Sequence, residues 1–147
     1  MIALIQRVRN SYVTIDGEEI ARIGAGITLL LGILKGDTPS DIDKLIKKIP
    51  HLRIFADERG KMNRSLVEIG GEALVVSQFT LAGDVKRGRR PSFDEAMPPK
   101  EAERLYERFC DELAAFVPVE RGRFGAMMEV GIVNDGPVTF IVDSRKL

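Results

Sequence analysis

The sequence predicts a single-domain α+β fold built on a curved, barrel-like sheet of mostly antiparallel or mixed strands. Its 147 residues are the length of one domain, and apolar and polar residues mix from end to end without a linker or repeat. Strand-like runs alternate with only two stretches of helical periodicity, in the order strands, helix, strands, helix, strands. Two helices cannot cover both faces of a large sheet, so we expect it to curl on itself or to be covered by a second subunit.

The first third of the chain is predicted to form strands. Residues 2–8 are mostly apolar, and residues 12–15 are β-branched and aromatic. Asp16-Gly17 is a strong turn signal before a third run at 19–23. Residues 27–34 are apolar almost throughout, which is typical of a strand buried on both faces.

Two helices are predicted from apolar residues at helical spacing. The first begins at Thr38, whose hydroxyl can cap it, with Pro39 and Asp41 in a suitable first turn and Pro50 at its end. The second runs from about residue 100 to 116. The apolar stripes are Ile42, Leu45, Ile46 and Ile49 in the first helix, and Ala102, Leu105, Phe109, Leu113 and Phe116 in the second.

The remaining apolar runs are predicted strands, and the segments between them are loops. The strands are 52–55, 73–79, 127–133 and 138–142. A turn at 57–60 follows the first of these strands, and a loop rich in Gly, Arg and Pro occupies 83–99.

The composition excludes several classes of protein. Lys plus Arg and Asp plus Glu number 22 each, so bulk attraction to phosphate cannot supply the affinity for a partner. One Cys and one His exclude a disulfide framework and a zinc site built from several such ligands. No apolar run reaches the ~18–20 residues that span a bilayer, and the N-terminus has no signal-peptide pattern. We therefore expect a cytoplasmic protein that does not enter a membrane.

Familiar catalytic patterns are also missing. There is no Walker-type loop, and Gly24-Ala25-Gly26 lacks the third glycine of a dinucleotide fingerprint. His51 lies between a helix-ending proline and an apolar run, and Cys110 lies beside the apolar stripe of the second helix, so neither is interpreted as catalytic. Catalysis would then rest on hydroxyls, backbone donors and the substrate itself, and we expect no cofactor and no metal.

Ser77-Gln78-Phe79-Thr80 is the first of three segments that are candidates for function. It ends an apolar strand, where hydroxyl, amide and backbone N–H groups can face a cleft and hold a developing oxyanion. The alternative is an ordinary polar strand end.

Asn134-Asp135-Gly136-Pro137 is the second candidate segment. A tight turn is typical of such a tetrapeptide. The alternative is a cis bond between Gly136 and Pro137, which would turn backbone carbonyls outward as fixed acceptors.

A basic run is the third candidate segment. Four cations within five positions are followed by a proline and an aromatic residue, a composition that suits a phosphate backbone as well as a solvated loop. The four are Lys86, Arg87, Arg89 and Arg90.

Together these segments closely resemble the D-aminoacyl-tRNA deacylase family, along nearly the whole chain. The resemblance is carried by residues 3–8, 77–81, 88–93, 124–126 and 133–139, in this order and at these spacings. Met127 stands where many relatives have a polar residue, which leaves Met128 to match the family's pocket methionine.

The resemblance implies hydrolysis of the ester that joins a D-amino acid to the 3′ end of tRNA, as a step of translation quality control. Glycyl-tRNA, including mischarged glycyl-tRNA(Ala), is the expected secondary substrate because glycine has no side chain on either hand. The resemblance also implies a homodimer in which Gly136 and Pro137 of one subunit enter the active site of the other and reject L-aminoacyl-tRNA.

The expected roles of individual residues follow from the same resemblance. Ser77, Gln78, Phe79 and Thr80 form the catalytic segment. Backbone N–H groups of Phe79 and Thr80 would stabilise the oxyanion. Thr80 is either a nucleophile or a group that orients water, and orientation is favoured because no base is visible.

Other residues are expected to bind and select the substrate. Gln78 and Met128 would shape the adenosine pocket, Arg7 would brace the Gly-Pro unit, and the ribose 2′-OH could supply a proton transfer. The four cations of the basic run are the expected phosphate contacts. Two other functions stay open: a non-catalytic RNA-binding or interaction domain, and a hydrolase of another activated ester or amide.

Overall fold

The sheet is organised around one long strand. The computed structural model describes residues 1–147, and its first strand, β1, spans Ile2–Ile15. The first half of β1 pairs antiparallel with β3 (Gly26–Gly32) and its second half with β2 (Glu18–Ile23). A last strand, β8 (Glu129–Asp143), runs antiparallel along the opposite edge of β1. The strands predicted at 2–8 and 12–15 are thus one strand, β1, because β8 pairs with both halves of it.

Two parallel pairs complete the main sheet. β6 (Glu72–Ser77) pairs parallel with β3, and β7 (Val119–Arg121) pairs parallel with β6. The six strands form a nearly closed, curved, mixed sheet. A separate two-stranded ribbon consists of β4 (Phe55–Ala56) and β5 (Met62–Arg64). The α+β prediction with a curved, mixed sheet is confirmed.

The first helix, α1 (Pro39–Lys48), begins where its signals predict. Thr38 precedes it, and the Thr38 N–H donates to the carboxylate of Asp41 at 2.9 Å. Ile42, Leu45 and Ile46 are its buried residues, as the stripe requires.

The second helix, α2 (Pro99–Leu113), is shorter than predicted. It ends before Phe116, which lies beyond the helix and is half exposed. The buried face also differs from the prediction, because Tyr106 and Cys110 are fully buried whereas Leu105 is only partly so. The Tyr106 hydroxyl donates to the Val75 carbonyl at 2.8 Å, which allows a polar aromatic side chain to sit in the core. Neither helix combines the length and hydropathy needed to cross a membrane.

The strand that leads to the candidate site is buried on both faces. Ala73 and Val75 belong to the main core between the sheet and the helices, whereas Leu74 and Val76 belong to a smaller core on the other face. β6 is therefore rigidly held until Ser77, where the polar segment leaves the core.

Other predicted strand boundaries are also wrong. The strand at 73–79 ends at Ser77, because Phe79–Ala82 form a 3-10 turn. The strand at 52–55 is displaced to Phe55–Ala56. Residues 127–133 and 138–142 belong largely to one strand, β8, because the segment between them bulges out of the strand without reversing it.

Candidate active site

The end of β6 opens into an apolar pocket of about 720 Å³. The pocket brings together five of the predicted site residues: Ser77, Gln78, Phe79, Thr80 and Met128. The opposite wall comes from the start of α2 and from the segment before β8.

Gly32 on β3 has no side chain, which allows the 3-10 turn Phe79–Ala82 to lie at the mouth of this pocket. A Cβ on Gly32 would lie 2.8 Å from the Cβ of Leu81 and 3.2 Å from the Gln78 carbonyl oxygen. The Gln78 N–H donates to the Leu31 carbonyl at 2.8 Å and fixes the start of the turn. The N–H groups of Phe79 and Thr80 are the first of the turn and have no acceptor within it, so they remain available to a ligand.

The polar side chains of the turn form a short hydrogen bond. Gln78 Nε2 donates to Thr80 Oγ1 at 2.5 Å. The Thr80 hydroxyl is exposed and keeps its own proton for another acceptor. This arrangement can orient a water molecule or a substrate oxygen at the pocket mouth.

Aromatic and thioether groups form the walls. Phe79, 56% exposed, meets Phe93 edge to face with ring centroids 5.1 Å apart. On the far side, the Met128 sulfur accepts a hydrogen bond from the Arg123 N–H at 3.4 Å, which holds Met128 in the pocket wall. Met127 is 90% exposed at the rim.

None of the 18 residues that line the pocket carries a charge or an imidazole. His51 lies elsewhere, with its ring 5.5 Å from that of Phe116 in an edge-on contact. Cys110 is fully buried, and burial raises the pKa of its thiol to about 12, so it remains protonated and unreactive near neutral pH. The pocket therefore offers hydroxyl, amide and backbone donors but no general base.

Arg7, Gly136 and Pro137 lie outside this pocket. Between the paired residues Gln6–Thr139 and Val8–Asn134, β1 has one residue, Arg7, whereas β8 has four. We call these four residues, 135–138, the Gly-Pro bulge. Gly136 and Pro137 are exposed on it, and the peptide bond between them is cis.

Arg7 holds the base of the Gly-Pro bulge. Its Nε donates to the Asp135 carbonyl at 3.2 Å and lies 3.3 Å from the Asp135 carboxylate. Its Nη1 donates to the Ile54 carbonyl at 2.7 Å. The exposed Arg9 lies 3.6 Å from the other Asp135 oxygen. One guanidinium thus links the bulge to the segment that enters β4.

The four cations of the basic run lie on an exposed loop beside the pocket, and none of them makes an ion pair. Two backbone hydrogen bonds between Asp84 and Ser92, of 2.8 and 2.9 Å, close this loop. Phe93 follows directly and lines the pocket, so the loop joins the pocket at its aromatic wall.

Comparison with known proteins decides the family. The family model described as D-Tyr-tRNA(Tyr) deacylase matches residues 4–143. The chain belongs to this deacylase family. D-aminoacyl-tRNA deacylases of a Nitratiruptor species and of Persephonella marina are 62% and 63% identical to it, over the full length of both chains. The family identified from the motifs is confirmed, and with it the enzyme class, a hydrolase of ester bonds.

Solved structures share the fold of the deacylase family. A protein described as c-Myc DNA Unwinding Element Binding Protein is 44% identical, with a TM-score of 0.93 over 97% of this chain and 98% of its own. A probable eukaryotic D-amino acid tRNA deacylase is 18% identical, with a TM-score of 0.84 over 96% and 97% of the two chains, and supports the fold alone.

Several pocket residues of this deacylase-family chain were not predicted from residue types. Phe93 and Phe124 fall in family motifs and both line the pocket, but an aromatic residue in a loop carries no chemical signal of its own. Met97, Pro98 and Pro99 also line it, where the loop enters α2. The two prolines at the start of α2 are a usable signal, because they fix how the chain enters the helix.

Proposed function

We propose that the protein hydrolyses the ester of D-aminoacyl-tRNA to a free D-amino acid and tRNA. The observation that carries this proposal is the uncharged pocket at the end of β6, with the hydroxyl of Thr80 and two free N–H groups at its mouth. An aminoacyl ester is already activated, so a site of donors without a protein base suffices for its hydrolysis. Membership of the deacylase family supports the same reaction.

The chemical step is attack of water on the ester carbonyl. Backbone N–H groups of Phe79 and Thr80 hold the developing oxyanion, an effect of about 3–4 kcal/mol per donor in comparable sites. Thr80 Oγ1 orients the water, and the C–O bond to the ribose 3′ oxygen then breaks. The neighbouring 2′-OH accepts the proton that the attacking water loses and gives its own proton to that leaving oxygen, so a terminal 2′-deoxyadenosine should slow the reaction strongly.

Selection of the D-form is proposed to come from a second subunit. Gly136 and Pro137 are exposed and lie outside the pocket of their own chain, so they are available to a partner's pocket. Ile141, 71% exposed, and Phe140, 39% exposed, place apolar surface on the same strand. A homodimer would cover these side chains and bring the Gly-Pro bulge across.

The proposed selection is geometric. Main-chain carbonyls of Gly136 and Pro137 hold the substrate's α-amino group while the pocket holds the ester. The side chain then has one direction left, which leads to solvent for a D-residue and into backbone for an L-residue. Many D-residues are accepted because none needs a pocket of its own, and glycyl-tRNA, including glycyl-tRNA(Ala), is accepted because it has no side chain.

Contacts with tRNA are proposed to be led by the phosphate backbone. Lys86, Arg87, Arg89 and Arg90 are exposed beside the pocket and form no ion pairs that would compete. The adenosine of the 3′ end would lie against Gln78 and Met128. We place this quality-control activity in the cytoplasm, where aminoacyl-tRNA is consumed.

Incubation with D-Tyr-tRNA and L-Tyr-tRNA tests the proposal. We expect rapid loss of the D-ester and survival of the L-ester. Loss of neither ester would favour the alternative of a non-catalytic RNA-binding or interaction domain. The one observation that supports this alternative is the name of a relative, c-Myc DNA Unwinding Element Binding Protein. Loss of both would favour a general esterase.

A further inference from the structure

One side chain, that of Asn134, closes the neck of the Gly-Pro bulge, which is the point where Asn134 and Thr139 flank it. Its Nδ2 donates to the Arg7 carbonyl across the strand pair at 2.9 Å, and to the Val138 carbonyl at the far end of the bulge at 3.0 Å. One amide group therefore ties together the two ends of the bulge and the facing strand.

The side-chain oxygen of Asn134 also takes part in a hydrogen bond, as an acceptor. Thr139 Oγ1 donates to Asn134 Oδ1 at 3.4 Å, and Gln6 Nε2 donates to Thr139 Oγ1 at 3.4 Å. Asn134 and Thr139 are the last residues paired with β1 before and after the bulge. The chain of hydrogen bonds thus crosses the neck at the two points where the regular ladder stops.

These side-chain hydrogen bonds replace backbone hydrogen bonds that the β1–β8 pair loses at the bulge. Four residues of β8 face one of β1, so the regular backbone pairing cannot continue through the bulge. Unpaired carbonyls at such a point are costly unless a donor reaches them. Asn can supply two N–H groups and an acceptor from one short planar side chain, which no apolar or purely acidic residue can do.

We infer that Asn134 is a positioning residue for chiral selection, which sets how far Gly136 and Pro137 project by closing the neck of the bulge. It bonds to the Arg7 backbone, whereas the Arg7 side chain holds Asp135 at the start of the bulge. Asn134 does not line the pocket, so it acts through the bulge. This inference rests on the proposed role of Gly136 and Pro137 in rejecting the L-ester.

The test is the ratio of kcat/KM on D-Tyr-tRNA to that on L-Tyr-tRNA. Asn134→Ala should lower this ratio at least about tenfold, the equivalent of one hydrogen bond. Asn134→Asp, which has nearly the same shape but no amide donor, should lower it similarly and keeps the test valid if the alanine variant does not fold. Thr139→Val should act in the same direction but more weakly, and Thr139→Ser should restore the ratio.

Asn63→Ala is the matched control, because the Asn63 amide also donates a hydrogen bond, to Asp57 at 3.3 Å on the β4–β5 ribbon, and makes none to the bulge. It should leave the ratio unchanged. Hydrogen exchange at the Gly136 and Val138 N–H groups should accelerate in Asn134→Asp but not in the control.

The outcomes separate the two proposals. If the unmodified protein does not distinguish the two esters, the proposed function itself fails. If it does distinguish them, and Asn134→Asp slows both esters equally or neither, Asn134 has only a structural role and the inference is overturned.

Discussion

The side-chain amide of Gln78 donates a 2.5 Å hydrogen bond to the hydroxyl oxygen of Thr80. One lone pair of that oxygen is thereby occupied, and the hydroxyl proton is free to point into the pocket. No charged side chain or imidazole lines the pocket to remove this proton. The pair is therefore arranged to donate and to orient, and it lacks the adjacent base that activates a nucleophile.

Replacement of Thr80 by alanine distinguishes these roles. Thr80→Ala should reduce the single-turnover rate on D-Tyr-tRNA by no more than about 100-fold, because a positioning hydrogen bond is removed and the backbone donors remain. Removal of a true nucleophile costs about 10⁶-fold in well-studied hydrolases. Thr80→Ser should recover most of the rate. A loss near the larger figure would contradict the role assigned to Thr80.

A methyl group at Gly136 tests the Gly-Pro bulge. Its Cβ would lie 2.8 Å from Val138 Cγ2 and 3.1 Å from Arg7 Nη2, at a φ of +125°. Gly136→Ala should cost about 1–3 kcal/mol from backbone strain alone. Because the bulge must also shift, we expect the preference for the D-ester over the L-ester to fall, as measured by parallel deacylation assays.

Gly60 supplies the control for that substitution. It too has a positive φ, of +75°, but a Cβ there meets nothing within 4 Å. Gly60→Ala should lower the free energy of unfolding while leaving the preference between the two esters intact. Equal effects of the two variants on this preference would show that general destabilisation, and not the bulge, is responsible.

Neutralising the basic loop tests the tRNA contacts. Changing Lys86, Arg87, Arg89 and Arg90 together to glutamine should raise KM for D-Tyr-tRNA and leave hydrolysis of D-tyrosyl-adenosine unchanged. The dependence of log(kcat/KM) on log salt should become shallower, by roughly 0.7–0.9 for each phosphate group that the variant no longer binds.

A set of three exposed lysines on α1 controls for most of the change in net charge. Lys44, Lys47 and Lys48 are exposed on that helix, and their change to glutamine should leave KM for tRNA almost unaltered. If both sets raise KM equally, long-range attraction explains the effect and the loop makes no specific contact.

An aspartate on the outer face of β8 tests the dimer. Ile141 is 71% exposed on that strand, and Ile141→Asp would place a charge in the proposed interface. We expect sedimentation to show a dimer for the unmodified protein and a monomer for the variant, with loss of chiral selection. Met62→Asp, at a 55% exposed position on β5, should remain dimeric. A monomeric unmodified protein would rule out selection across subunits.

Short sequence patterns are sufficient to predict a helix start and a buried strand. The helix start at Thr38 and the buried strand leading to Ser77 follow from capping residues and continuous apolar character. The apolar spacing extends the predicted second helix to Phe116, although Phe116 packs on His51 outside α2. Periodicity alone does not reveal such a tertiary contact.

The sequence predicts less of the candidate site than of the fold. Ser77 to Thr80 could be placed because they follow a buried strand, but the wall from Phe93 to Pro99 arrives from a loop whose path depends on long-range pairing, such as Lys35 N–H with the Glu95 carbonyl at 2.8 Å. The composition of the Gly-Pro bulge is typical of a turn, so a tight turn is the ordinary prediction for it. Only the pairing of both flanks with β1 shows that the strand continues.

The buried thiol of Cys110 gives a stability prediction with a defined sign. Burial raises its pKa from an ordinary 9.0 to about 12, so the folded state favours the neutral thiol. This contribution is complete below pH 9 and is lost as pH rises from about 9 to about 12. Between those limits the unmodified protein should lose up to about 1.4 kcal/mol per pH unit relative to Cys110→Ala, as measured by urea unfolding. Parallel pH curves for the two proteins, or rapid labelling of the native thiol at pH 8, would contradict this account of Cys110.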